Sequence, residues 1–273
     1  MARSWTHAKQ DDLDSRYCEV RALTCALTAP LSDADATVQS MPDASPAKWH
    51  MAHGTWFFET FILRDHVPGY RPFDDRFAFL FNSYYEAEGP RHARPMRGML
   101  TRPSLEDIRA YRAHVDAAMM AAIPTLADDV RALIVLGLHH EQQHQELLLT
   151  DLLHLLSCNP LEPALFHPPG AMPVEQPGPL HWIEGREGLV EIGDEGKGGF
   201  AFDCEGPRHK VVLRPHALAH RPVTNGEWIA FIEDGGYAQA AHWLSDGWAW
   251  VKTEGVTAPA YWRRDDRGWT RFG

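Results

Sequence analysis

Seven prolines crowd residues 159–180: Pro160, Pro163, Pro168, Pro169, Pro173, Pro177 and Pro179. Proline fixes φ and removes a backbone donor, so such a stretch cannot lie inside a helix or a central strand. It reads as a stiff, extended linker. The chain is therefore divided into two bodies, residues 1–158 and 181–273. A length of 273 residues suits two domains of ordinary size, and 44% apolar content can supply a core.

The two bodies are written in different grammars. Residues 1–158 read as helical. Asp11 to Ala29 places Tyr17, Val20, Leu23 and Leu27 at helical spacing. Ser45-Pro46 reads as an N-cap followed by proline at the first helical position, opening a helix to about Asp65. That helix sets Trp49, His53, Trp56, Phe57 and Thr60 on one face. Ser104, with Asp107 three residues on, opens a third helix to about Ile123. Asp128 or Asp129 opens a fourth that ends near Cys158, before Asn159-Pro160. Four such helices predict a four-helix bundle. The connection from Pro68 to Pro103 is long, and long connections of this kind are often functional.

Residues 181–273 predict an α+β domain with much irregular structure. Gly188 to Gly193 and His209 to Leu213 read as strands. Thr224 or Asn225 caps a short helix to about Ile232, stopped by Gly235-Gly236. The tail from Trp243 to Phe272, rich in tryptophan and glycine, reads as short β-like pieces. No internal repeat is visible.

Several classes are excluded or disfavoured. No apolar run approaches the ~20 residues that span a bilayer, so no membrane partner is expected. The polar start shows no signal-peptide core. A net charge of −11 disfavours a nucleic-acid surface. Four scattered cysteines, Cys18, Cys25, Cys158 and Cys204, form no CxxC pair and point to a reducing cytoplasm.

The chemistry concentrates among the sixteen histidines. His140 and His144 lie one helical turn apart, ~6 Å of rise, on the same face. Two imidazoles so placed can share one metal ion. The third ligand should come from another helix. His53, between Trp49 and Trp56-Phe57, is the first candidate, and its neighbour His50 is the other. Three histidines without cysteine or carboxylate suit a divalent metal with open positions, iron or zinc. The string His140-Glu141-Gln142-Gln143-His144 also matches the H-E-x-x-H zinc-protease pattern, in which the glutamate is the base. Its context disfavours that reading. Leu147 and Thr150 stand where a metzincin needs glycine and histidine. A glutamate ligand could come only from Glu162 or Glu175 in the linker. In the long connection, Arg91, Arg94 and Arg97 stand at three-residue spacing and can clamp carboxylates; the plainer alternative is a solvated basic loop.

Several motifs, in order along nearly the whole chain, resemble one family. They are Trp49-His50-Met51-Ala52-His53, Phe81-Asn82-Ser83-Tyr84-Tyr85 and His140-Glu141-Gln142-Gln143-His144-Gln145-Glu146-Leu147. In the second half they are Phe200-Ala201-Phe202-Asp203, Glu205-Gly206-Pro207-Arg208-His209, Arg221 to Trp228, Asp234 to Tyr237 and Leu244 to Trp248. Together they resemble the sulfoxide synthases of ergothioneine biosynthesis. In those proteins a DinB-like four-helix bundle precedes a formylglycine-generating-enzyme-like α+β domain.

The resemblance implies an iron(II), oxygen-dependent oxidoreductase. Such enzymes join a cysteine-type thiol, γ-glutamylcysteine or cysteine, to Nα-trimethylhistidine (hercynine), forming a C–S bond and a sulfoxide. It implies Fe(2+) held by His53, His140 and His144, hercynine held with help from Gln143, and thiol carboxylates held by Arg94 and Arg97, with Arg91 the other option. Selenoneine synthase, a relative that takes a selenosugar, shares these motifs, and a non-catalytic metal-binding bundle is a further alternative. Two departures stand out. Cys204 replaces what is often asparagine. Family members also continue beyond Gly273, so the second domain is expected to be C-terminally incomplete, with its catalytic residue beyond that point and turnover by this chain alone expected to be poor. Residues 181–273 are then expected to need the rest of their domain for stability, whereas the bundle needs no partner.

Overall fold

A computed structural model describes residues 13–166, 177–266 and 268–273. The chain divides into two compact units, Met1–Phe166 and His167–Gly273. The division falls inside the proline-rich segment, of which residues 167–176, with Pro168, Pro169, Pro173 and Glu175, lie outside the described residues.

The first unit is helical. Its elements are α1 (Leu13–Thr28), α2 (Asp33–Thr37), α3 (Ala47–Phe58), α4 (Phe77–Phe81), α5 (Leu105–Ala122) and α6 (Asp128–Ser157). The long helices α1, α3, α5 and α6 form the expected bundle. Between α3 and α6, Gly137 allows close approach: a Cβ there would meet the Phe58 and Phe57 rings at 2.6 and 2.8 Å.

Helix α3 departs from its sequence reading. Every residue from Ala47 to Phe58 is buried, so the helix has no solvent face. It packs against α2, α4, α5 and α6, which surround it. Nor does Ser45 cap it. Pro46 takes the N-cap position with extended ψ of 148°. The Ser45 hydroxyl instead accepts from Arg97, and its N–H donates to Asp151. Past Phe58 the helix widens into a π-turn, Glu59–Arg64. There the buried Glu59 carboxylate accepts from the Tyr70 and Tyr111 hydroxyls and the Phe73 N–H.

Helix α1 also faces the core differently. Its buried stripe is Leu13, Tyr17, Arg21, Thr24 and Thr28, while Leu23 is exposed. The stripe is polar because Arg21 and Thr24 have buried partners on other helices, including Glu141 on α6. Helix α5 begins as expected, with a reciprocal Ser104–Asp107 capping box. The long connection is not structureless. It holds α4 and two short 3₁₀ turns, Glu86–Glu88 and Arg94–Met99. The buried Asn82 amide donates to the Tyr85 and Gly89 carbonyls.

The second unit is α+β. Three antiparallel strand pairs form: β1 (Trp182–Glu184) with β4 (Ala217–Ala219), β2 (Gly188–Ile192) with β3 (His209–Leu213), and β5 (Trp262–Asp265) with β6 (Gly268–Arg271). Helix α7 (Asn225–Glu233) is capped by Thr224 with Glu227. It ends at Gly235, whose φ of +79° suits glycine. The tail is only partly β. Helix α8 (Ser245–Glu254) replaces the expected β-like pieces and stops at Gly255, φ +62°. Its tryptophans bias a sequence reading towards strand; Ser245-Asp246 at the start and Gly255 at the end are ordinary helix boundaries.

Candidate metal centre

Helix α6 carries His140 and His144 one turn apart, and α3 presents His53 across the interface. One ring nitrogen from each lies within 4.8 Å of the others. The ring centroids are 4.9 Å (His53–His140), 4.7 Å (His53–His144) and 4.7 Å (His140–His144) apart. Three imidazoles and no carboxylate are thus gathered at one point.

Burial keeps these rings neutral. It lowers the pKa of His53 well below its usual value, and His140 to about 4. His144 is lowered by burial and then by His53, His50 and His140. A neutral imidazole offers a lone pair, the form a metal requires. The Nδ1 of His140 is buried without a hydrogen-bond partner among the described residues. The donor set and this orphaned nitrogen fit a divalent metal ion.

Aromatic rings hold His53 in place. His53 stacks on Trp49 (4.6 Å, 16°) and on Trp56 (5.5 Å, 13°). Its Nδ1 lies 2.6 Å from the Phe81 carbonyl oxygen. A carbonyl can only accept, so Nδ1 carries the proton and Nε2 is left for a metal. His50, the alternative ligand, has both nitrogens engaged: Nδ1 with His144 Nδ1 at 2.9 Å and Nε2 with Asp151 Oδ2 at 2.9 Å. Asp151 is the residue the sequence reading missed. It lies seven residues after His144, two helical turns along the same face, and that spacing was the available signal.

The arginines of the connection divide. Arg97 is buried, with its guanidinium carbon 3.4 Å from the centre of the Trp49 ring. Arg97, Trp49, His53 and Trp56 thus form one continuous stack. Arg97 donates to the Ser45 and Ser83 hydroxyls at 2.9 and 3.2 Å. These are neutral partners, and burial lowers its pKa to about 10. Arg94 donates to the Tyr84 hydroxyl at 2.9 Å and to the Asp43 carbonyl. Arg91 is exposed, 3.7 Å from Glu86. Gln143 is exposed on α6 beside His144.

Glu141 excludes the zinc-protease alternative. Its side chain is turned from the three rings into the bundle, where it accepts from Arg21 (2.8 Å), Arg112 (3.0 Å) and Thr24 (2.6 Å). Burial alone would raise its pKa. Arg21 and Arg112, with the Thr24 hydrogen bond, more than offset that and hold it at about 2. A carboxylate neutralised by two buried arginines cannot reach a metal-bound water as a base.

The fold and this cluster define a class: a helical bundle with three histidines placed to hold a metal, followed by an α+β domain. Residues 16–148 match the DinB superfamily, and residues 175–271 match the sulfatase-modifying factor enzyme 1-like domain. The chain is 32% identical over 265 residues to a hercynine oxygenase of Mycobacterium tuberculosis, covering 96% of this chain and 60% of that protein. It is 33% identical over 245 residues to a hercynine oxygenase of Mycolicibacterium thermoresistibile, covering 88% and 52%. A hercynine oxygenase of Mycolicibacterium smegmatis is 34% identical over 249 residues, covering 88% and 54%. Over most of its length the chain is thus similar to hercynine oxygenases, with a DinB-type part followed by a sulfatase-modifying-factor-type part. It spans between half and two thirds of the length of these curated relatives.

Proposed function

We propose that this chain carries the metal- and substrate-binding part of an iron(II), oxygen-dependent enzyme that joins a cysteine-type thiol to hercynine. The observation that carries the reading is the cluster of His53, His140 and His144 without a carboxylate, in a chain similar to hercynine oxygenases. When bound, the iron supplies the one-electron chemistry with O2 that side chains lack. The residues do the rest. His53, His140 and His144 would hold the metal, and three protein ligands would leave it able to take substrate as well. Gln143, exposed beside His144, donates to the hercynine. Arg97 and Arg94 hold the carboxylates of the thiol. Arg97 suits this role because its guanidinium is buried among hydroxyls, so an incoming carboxylate would gain a charge-assisted bond. The ring stack from Arg97 to Trp56 keeps water from the inner wall of the site.

A selenosugar donor differs in the group that Arg94 and Arg97 would meet, because it offers hydroxyls where the thiol offers carboxylates. Parallel titration with a cysteine-type thiol and a selenosugar separates the two.

The decisive measurement is metal analysis of the chain purified without oxygen, with titration of hercynine. One iron per chain is expected, lost on changing His53, His140 or His144 to alanine. Full iron content in His53→Ala would sink the assignment, as would hercynine binding that ignores the metal.

A further inference from the structure

Each metal-facing histidine needs its other nitrogen to be controlled, because the tautomer decides which nitrogen offers a lone pair. His53 is controlled by the Phe81 carbonyl. Among the described residues, His144 has no carbonyl or carboxylate partner of its own on Nδ1; it meets another imidazole, His50, at 2.9 Å. Two ring nitrogens can bond only if one carries a proton and the other does not. The direction is set further along. His50 Nε2 lies 2.9 Å from Asp151 Oδ2. The same oxygen accepts from the Ser45 N–H at 2.8 Å. A carboxylate oxygen accepts, so His50 Nε2 carries the proton. A neutral His50 then has a bare Nδ1, and it must accept from His144 Nδ1–H. The His144 lone pair is thereby left on Nε2.

We propose that His50 and Asp151 are positioning residues, a two-step relay that fixes the tautomer and ring orientation of His144 for metal binding. The inference rests on the three-histidine reading above. Ser45 anchors the far end of the relay and also accepts from Arg97, so the arginine-bearing connection steadies the same relay.

The test uses the whole chain, metal-free and labelled with 15N-histidine, and reads tautomers from long-range proton–nitrogen spectra. Cobalt(II) titration then measures affinity. His144 is expected as the Nδ1–H tautomer and His50 as Nε2–H. Asp151→Leu should mix the His144 tautomers and weaken cobalt(II) binding about 10- to 100-fold. Asp151→Asn should restore both readouts, because the Ser45 N–H can only donate and so holds the amide oxygen where the carboxylate oxygen sits. An Nε2–H His144 in the unaltered chain would overturn the proposal. So would unchanged cobalt(II) affinity in Asp151→Leu, or an Asp151→Asn variant as weak as Asp151→Leu. If Asp151→Leu fails to fold, the unaltered chain and Asp151→Asn still decide. Failure of the unaltered chain to take up one cobalt(II) would remove the metal reading, while the tautomer spectrum would still judge the relay.

Discussion

The two units reach order by different routes. In the first, one buried apolar cluster runs from Leu13 to Leu152 and encloses α3 on every side. In the second, Gly236 and Val251 are the buried residues among those described. Its elements are held mainly by local bonds: three strand pairs, the Thr224–Glu227 capping box, and the paired Arg221–Glu227 bonds of 2.9 Å each. The difference teaches where precision is stored. A metal site needs its side chains fixed within fractions of an ångström, and the three clustered histidines lie in the well-packed unit, on α3 and on α6, which packs against it.

The sharpest way to break this contrast is to cut it. Residues 1–166 alone are expected to unfold in one cooperative calorimetric transition and to bind one divalent metal. Residues 167–273 alone are expected to show no cooperative transition. A sharp transition in the second piece would show that its local bonds suffice.

The next largest effect lies inside the bundle. Glu141 is surrounded by Arg21, Arg112 and Thr24, and Arg21 also pairs with Asp116 at 2.7 Å. Glu141→Gln leaves two buried arginines with a neutral partner. Breaking a buried pair this way costs about 3–5 kcal/mol. Urea denaturation should show a loss of that order. Metal stoichiometry in the folded protein should be retained, since Glu141 does not face the rings. Peptide hydrolysis that depended on Glu141 would contradict the proposed function.

How much of this was legible follows from what sequence patterns encode. The His140–His144 pair and the Ser104–Asp107 cap were readable, because helix geometry fixes neighbours three and four residues apart; Thr224 was one of two candidate caps. The polar stripe of α1 was not. An apolar stripe through Leu23 fits periodicity as well as the real one through Arg21, and only the partners on α5 and α6 decide between them. Ser45-Pro46 has the right letters for a cap, but Arg97 and Asp151, distant in sequence, take both of its polar groups. Helix α8 was obscured by tryptophans that score as strand formers. His53 was legible as a candidate; that His50 is instead engaged by His144 and Asp151 was not, because no local pattern ties those residues to residue 50.

Arg97 tests whether the arginine-bearing connection belongs to the core or to the site. It stacks on Trp49 and ends on two hydroxyls. Arg97→Ala is expected to weaken binding of a carboxylate-bearing thiol about tenfold or more, since hydrogen bonds to charged groups are worth ~1.5–3 kcal/mol. Hercynine affinity, read by isothermal titration, should be spared. Equal loss of both would place Arg97 in the packing alone.

The smallest expected effect sets the two units side by side under the same chemistry. Each has a helix closed by a reciprocal capping box, Ser104 with Asp107 on α5 and Thr224 with Glu227 on α7. Removing either hydroxyl frees one backbone donor at the helix start, at a cost of about 1 kcal/mol. Helix α5 is part of the cooperative bundle, with Ile108, Tyr111, Val115 and Met119 fully buried. Ser104→Ala should therefore lower the midpoint of the main unfolding transition by a few degrees. Helix α7 buries no residue, so its fraying need not be shared with the rest of the chain. Thr224→Ala should leave the main transition in place and instead speed amide exchange locally over residues 225–228. A shift of the main transition by Thr224→Ala equal to that of Ser104→Ala would mean that the two units unfold as one, and that the division drawn from burial does not extend to stability.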